Sequence, residues 1–107
     1  MTFKEYEAAS EHTAHYPRDK YLLVYPALGL AGEAGEAVEK VKKAIRKGGL
    51  EHLDRDGLIK ELGDVLWYLA SMAHDIGTSL DEIAEINIAK LSDRAARDVI
   101  KSEGDNR

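Results

Sequence analysis

From Ala27 onward the chain repeats apolar residues at spacings of three and four, the period of one face of an α-helix. Leu30, Ala34, Ala37, Val38, Val41 and Ile45 form the first stripe. Arg46 and Lys47 favour a helix C-terminus, and Gly48-Gly49 stops it, so the pattern predicts a long core-facing helix over residues 26–47. Leu58, Leu62, Val65, Leu66, Leu69, Met72, Ala73 and Ile76 make a second stripe ended by Gly77, predicting a helix over 56–76. Ser79 stands three residues before Glu82, the capping-box spacing, and Leu80, Ile83, Ile86 and Leu91 extend the pattern to about residue 97. Thr2 with Glu5 offers the same start for an N-terminal helix reaching about residue 15, where Tyr16-Pro17 ends it. Residues 98–107 read as a frayed tail.

No strand-like alternation of useful length occurs, and the only two prolines, Pro17 and Pro26, lie in the first quarter of the chain. The expected fold is all-α and four-helix bundle-like, a single domain over residues 1–107. Four helices in so short a chain leave a limited core, so a homodimer or homotetramer is expected. Hydrophobic residues at 44% and charged residues at 33% describe an ordinary globular chain. The net charge of -5 disfavours a grip on a nucleic acid polymer. The absence of cysteine excludes disulfides, thiolate metal sites and thiol nucleophiles, and suits a cytoplasmic protein. Residues 1–7 do not read as a secretory signal, and the apolar stretches 22–32 and 65–73 are too short or too interrupted for a membrane span.

The acids carry the chemistry. At about 100° per residue, Glu33 and Glu36 share one flank of the first predicted long helix, beside its apolar face, with Lys40 and Lys43 extending the stripe. Glu61, Asp64 and Tyr68 fall within about 60° of one another on the next, again flanking the apolar face. Carboxylates converging from two packed helices repel unless a cation neutralises them, and oxygen-only ligands select hard ions such as Mg²⁺ or Mn²⁺. The plain alternative is a solvated face, because Glu36 with Lys40 and Glu39 with Lys43 are ordinary i,i+4 pairs. The second acidic pair, set among Leu58, Leu62, Val65 and Leu66, favours metal over that alternative.

On the last predicted helix Asn87, Lys90 and Arg94 share a face with Ile83, which phosphate binding would explain and a snorkelling helix edge would explain equally. Gly29, Gly32 and Gly35 do not have the order of a dinucleotide loop, and close packing is their expected role. His12, His15, His52 and His74 lack a recognisable zinc spacing. Trp67 and Tyr68 beside the second acidic pair suit either base stacking or packing.

Glu33-x-x-Glu36 followed by Glu61-x-x-Asp64 resembles the signature of the MazG-like, all-α nucleoside triphosphate pyrophosphohydrolases. Leu28-Gly29-Leu30-Ala31-Gly32-Glu33-Ala34-Gly35-Glu36, Lys60-Glu61-Leu62-Gly63-Asp64-Val65-Leu66-Trp67-Tyr68-Leu69 and Asn87-Ile88-Ala89-Lys90-Leu91-Ser92-Asp93-Arg94 resemble the family blocks in order and spacing. The resemblance implies hydrolysis of a nucleoside triphosphate to the monophosphate and pyrophosphate. It implies that Glu33, Glu36, Glu61 and Asp64 hold Mg²⁺, that Glu36 and Glu61 serve catalysis, and that Tyr68, Asn87, Lys90 and Arg94 bind substrate. Residues near Tyr21 and Tyr25 carry least of the family pattern. The competing readings are a non-catalytic helical interaction module with a regulatory cation site, and the same apparatus acting on phosphoribosyl-ATP or a dinucleoside diphosphate.

Overall fold

The structure is a computed structural model, and it describes residues 1–97; the frayed tail expected over 98–107 lies outside the described residues. It is all-helical among those residues: α1 (Phe3–Glu11), α2 (Arg18–Tyr21), α3 (Val24–Arg46), a 3₁₀ turn (Leu50–His52), α4 (Arg55–Asp75) and α5 (Leu80–Ala96). The three long helices keep close to their expected bounds. The N-terminal helix stops earlier, at Glu11, and the unforeseen α2 follows Pro17, whose fixed φ suits a helix start.

Local chemistry explains most ends. Thr2 and Glu5 form the full capping box on α1, with bonds of 2.8 and 3.1 Å. At α5 Ser79 accepts from the Glu82 N–H, but the Glu82 carboxylate takes the Thr78 hydroxyl, so the expected reciprocal box is only half made. The α3–α4 connection turns on Gly48 and Gly49 at φ 120° and 149°.

α3 and α4 form an antiparallel hairpin, and α5 packs against α1 and α4. Glu7 on α1 accepts the Leu80 N–H at 2.7 Å and so caps the start of α5. Apart from Pro26 at the start of α3, buried positions on α3 and α4 are small, Ala37 and Ala44 on one and Ala70, Ser71 and Ala73 on the other. The expectation that the apolar stripes face a core needs correction. Val38 and Ile45 on α3, Leu62 and Ile76 on α4 and Ile83, Ile86 and Ile88 on α5 are exposed, and so is Ala34. The hairpin buries an alanine edge rather than the whole stripe, and residues 81–90 of α5 are exposed throughout. The radius of gyration of 16.8 Å reflects this openness against about 13 Å for a compact chain of this length.

The N-terminal arm is fastened to the end of α4 by one carboxylate. The Asp75 side chain is 0% exposed and accepts from Tyr16 Oη at 2.8 Å, Arg18 Nε at 3.0 Å and the Leu23 N–H at 2.9 Å. Arg18 also grips Glu11 through two bonds of 2.8 Å. Leu23 has φ 65° and ψ -41°, and the Val24 N–H donates to the Leu22 carbonyl at 2.7 Å, a tight γ-turn that L-residues rarely adopt. This turn launches α3.

Candidate active site

The hairpin register assembles the acids. Asp54 caps α4 by accepting the Gly57 N–H at 3.0 Å and meets Lys40 Nζ of α3 at 3.3 Å. Further along, Glu33 lies beside Glu61 and Asp64, and at the far end Tyr68 lies over Gly29. A Cβ at Gly29 would sit 2.2 Å from Tyr68 Cε1, so this glycine serves close packing as expected. Gly32 and Gly35 face open space, which corrects the same expectation for them.

Glu33, Glu61 and Asp64 each offer a carboxylate oxygen within 4.8 Å of the others'. Glu33 and Glu61 are half-buried and Asp64 is exposed. Burial, the Asp64 charge and a hydrogen bond with Glu61 push the Glu33 carboxyl above the usual range. Glu36 is exposed and stands outside this trio, although its charge adds to the pressure on Glu33. The i,i+4 pairing that would make the acids a solvated face does not form as drawn: Lys40 engages Asp54, and Glu39 pairs with Lys42 at 2.8 Å.

Two of the trio, Glu33 and Asp64, border a groove of about 360 Å³ that Thr13, Trp67 and Tyr68 also line. A second cleft of about 300 Å³ adjoins it, sharing Thr13, Trp67 and Tyr68 and continuing to His15, Tyr16, Pro17 and Tyr25. Trp67 and Tyr68 meet edge to face at 5.0 Å and 85°, and Tyr16 and Tyr25 stack at 5.1 Å and 9°. Trp67 Nε1 donates to Thr13 Oγ1 at 2.8 Å, and that hydroxyl donates to the Ser10 carbonyl at 2.8 Å. Burial raises the Tyr68 phenol, and Tyr25, Glu33 and Asp64 raise it further. Tyr6 on α1 is likewise raised by burial and then by Asp64.

Asn87 and Lys90 do not line the acidic groove; with Ile83 and Ile86 they border a separate groove of about 270 Å³ on α5. Arg94 is buried near the end of the same helix. Sequence reasoning missed Thr13, Tyr6 and Tyr16, because Tyr16-Pro17 reads as a helix stop and nothing in the periodicity of α1 marks the other two. Among the described residues the acidic trio is the candidate metal cluster, and no histidine belongs to it.

Residues 26–97 match the MazG nucleotide pyrophosphohydrolase domain. The chain is also 41% identical over 109 residues to the Gene 37 protein of Mycobacterium phage L5, covering 95% of this chain and 96% of the relative. No solved structure matches the chain. The matched span runs from the start of α3 through α5 and contains every acid of the groove, and the chain belongs to the MazG nucleotide pyrophosphohydrolase domain family.

Proposed function

We propose that the protein hydrolyses a nucleoside triphosphate, ribo or deoxy, between its α and β phosphates, releasing the monophosphate and pyrophosphate as part of nucleotide-pool house-cleaning. The observation that carries this reading is the convergence of Glu33, Glu61 and Asp64 within 4.8 Å beside a groove that Glu33 and Asp64 line, in a chain of this family. The donor set fits a hard divalent cation: all three are oxygen ligands, and Glu33 is held above its usual pKa range by burial and by the neighbouring acids. Glu33, Glu61 and Asp64 would hold Mg²⁺, which Mn²⁺ can replace, with Glu36 joining from the next turn of α3. A bound divalent cation supplies Lewis acidity at a phosphate oxygen and lowers the pKa of water.

The chain's own residues do the rest. Glu36, exposed one turn along α3 from Glu33, orients the attacking water towards the α-phosphorus and takes its proton, and Glu61 assists beside it. Tyr68, fixed against Gly29, borders the path of the sugar. Asn87, Lys90 and Arg94 serve the phosphates, with Lys90 as a point charge and Arg94 as a planar fork. Because Asn87 and Lys90 border a separate groove, this role rests on the α5 of a second copy. The exposed apolar residues of α3, α4 and α5 support a homodimer or homotetramer that would cover them. The same exposed residues favour the second reading, a helical interaction module.

The test is hydrolysis in ¹⁸O-water with product analysis. Label in the monophosphate and none in pyrophosphate is the expected result. Label in inorganic phosphate, with a diphosphate product, would place the attack at the γ-phosphorus and refute the proposal. Silence with every nucleoside triphosphate would favour the interaction module.

A further inference from the structure

The aromatic cleft beside the acidic groove is built from two walls of different origin. Trp67 and Tyr68 belong to α4, where Tyr68 is packed on Gly29 of α3 and Trp67 bonds Thr13. Tyr16 and Tyr25 lie on either side of the γ-turn at Leu23, and no regular element joins them across it. Their parallel stack depends on the turn keeping a backbone conformation that leucine adopts only at a cost in energy. Asp75 holds both ends of this arrangement. One of its oxygens accepts from Tyr16 Oη and from the Leu23 N–H, and the other accepts from Arg18 Nε. Burial raises the Asp75 carboxyl, but these three donors outweigh it and keep the group below the usual range, as a charged acceptor. The Arg18 guanidinium also lies 4.7 Å from the Tyr16 ring centre and so fixes that ring from a second side.

We propose that Asp75 is a positioning residue that locks the Tyr16–Tyr25 wall so that the cleft accepts the flat ring of a nucleobase, with the phosphates leading into the acidic groove. The proposal rests on the nucleotide reading of that groove and adds where the base goes and what holds its wall in place. Two features favour a stacked ring over another ligand. The cleft is lined mainly by aromatic residues, and an aromatic ring that stacks on a base contributes about 1–3 kcal/mol. It also shares Thr13, Trp67 and Tyr68 with the acidic groove, so one molecule can span both. Asp75 itself lines neither cleft, and its effect passes through Tyr16 and the Leu23 turn.

Trp67 is the only tryptophan and lines both clefts, so its fluorescence reports ligands without any need for turnover. The experiment titrates wild type, Asp75→Asn and Tyr25→Ala with nucleoside monophosphates, and with tripolyphosphate plus Mg²⁺ as a probe lacking a base. Both variants should bind monophosphates about ten-fold more weakly, the loss of one well-stacked ring, and tripolyphosphate within about two-fold of wild type. In turnover, KM of Asp75→Asn should rise by the same factor while kcat falls by less. Unchanged monophosphate binding in Asp75→Asn, or equal weakening of both ligands, would overturn the positioning role. Should Asp75→Asn fail to fold, Tyr25→Ala leaves the Asp75 bonds intact and decides the matter: wild-type nucleotide affinity in it overturns the base cleft. Wild-type protein that binds tripolyphosphate but no monophosphate overturns the base cleft alone. Wild-type protein that binds neither ligand and releases no pyrophosphate overturns the pyrophosphohydrolase reading beneath it.

Discussion

The acidic groove and the aromatic cleft adjoin, yet they are held together by opposite electrostatics. In the groove, like charges are pressed together by helix register: Glu33, Glu61 and Asp64 meet because α3 and α4 pair antiparallel, and Glu33 would be better placed with its neighbours removed. In the arm behind the cleft a single buried carboxylate is surrounded by donors from Tyr16, Arg18 and Leu23, and each of these bonds gains from its charge. The first region spends stability on a binding site, and the second uses charge to hold a strained turn. Neutralising an acid should therefore have opposite effects on the two sides of one continuous cavity.

The largest expected effect lies in the arm. Asp75→Ala leaves the Leu23 N–H and the Tyr16 hydroxyl without their acceptor and should cost about 2–4 kcal/mol in urea denaturation at neutral pH. A loss below about 0.5 kcal/mol would show that the arm is not held this way. The matching change in the groove, Glu33→Gln, should raise Tm in metal-free buffer because it removes repulsion. It should also abolish the further rise that Mg²⁺ gives wild type. A fall in metal-free Tm would mean that the trio is not under repulsive pressure.

Glycines sharpen the comparison at the next level. Gly29→Ala drives a methyl group into the Tyr68 ring and should destabilise the fold by about 1–3 kcal/mol. Gly32→Ala, on the same helix but in open space, should stabilise it by about 1 kcal/mol. Equal responses would refute the packing difference between the two positions.

Acid titration gives a smaller effect with a definite sign. Arg18 hydrogen bonds hold Glu11 below its ordinary value of 4.5, and the donors around Asp75 hold it below 3.8. Their contribution is fully present above those values and is lost as pH falls through the lower, folded-state values. Tm should fall below about pH 4 more steeply in wild type than in Asp75→Asn. Parallel curves would remove Asp75 from the acid transition. The smallest change is expected at the exposed Glu39–Lys42 pair, where Glu39→Ala should leave the Tm indistinguishable from wild type.

The two regions also differ in how far the sequence reveals them. The groove follows largely from periodicity, because acids on the facing flanks of a helical hairpin meet at one register across the Gly48-Gly49 turn, and three of the four marked by their spacing do so. The arm follows from nothing periodic. Its bonds link Tyr16, Arg18 and Leu23 to a residue more than fifty positions away, and the turn at Leu23 uses a conformation that leucine does not advertise. Burial of the apolar stripes is not legible for a related reason: helical spacing marks a face as apolar but not which element covers it, and here Val38, Ile45 and Leu62 are uncovered in a single chain. Glu36 illustrates the same limit on a smaller scale. Its spacing matches that of Glu33, while one further turn of α3 takes it out of the trio.

The most direct test of the central claim is pyrophosphate release from a panel of ribo and deoxy nucleoside triphosphates by wild type and Glu61→Gln, each with Mg²⁺, with Mn²⁺ and with chelator. Circular dichroism would establish that the variant keeps its helices. Release from at least one substrate, dependent on the divalent ion and at least about a hundred-fold lower in the folded variant, is the predicted result. Turnover by Glu61→Gln near the wild-type rate, or turnover indifferent to chelator, would contradict the assignment of the acidic trio as the site of the chemistry.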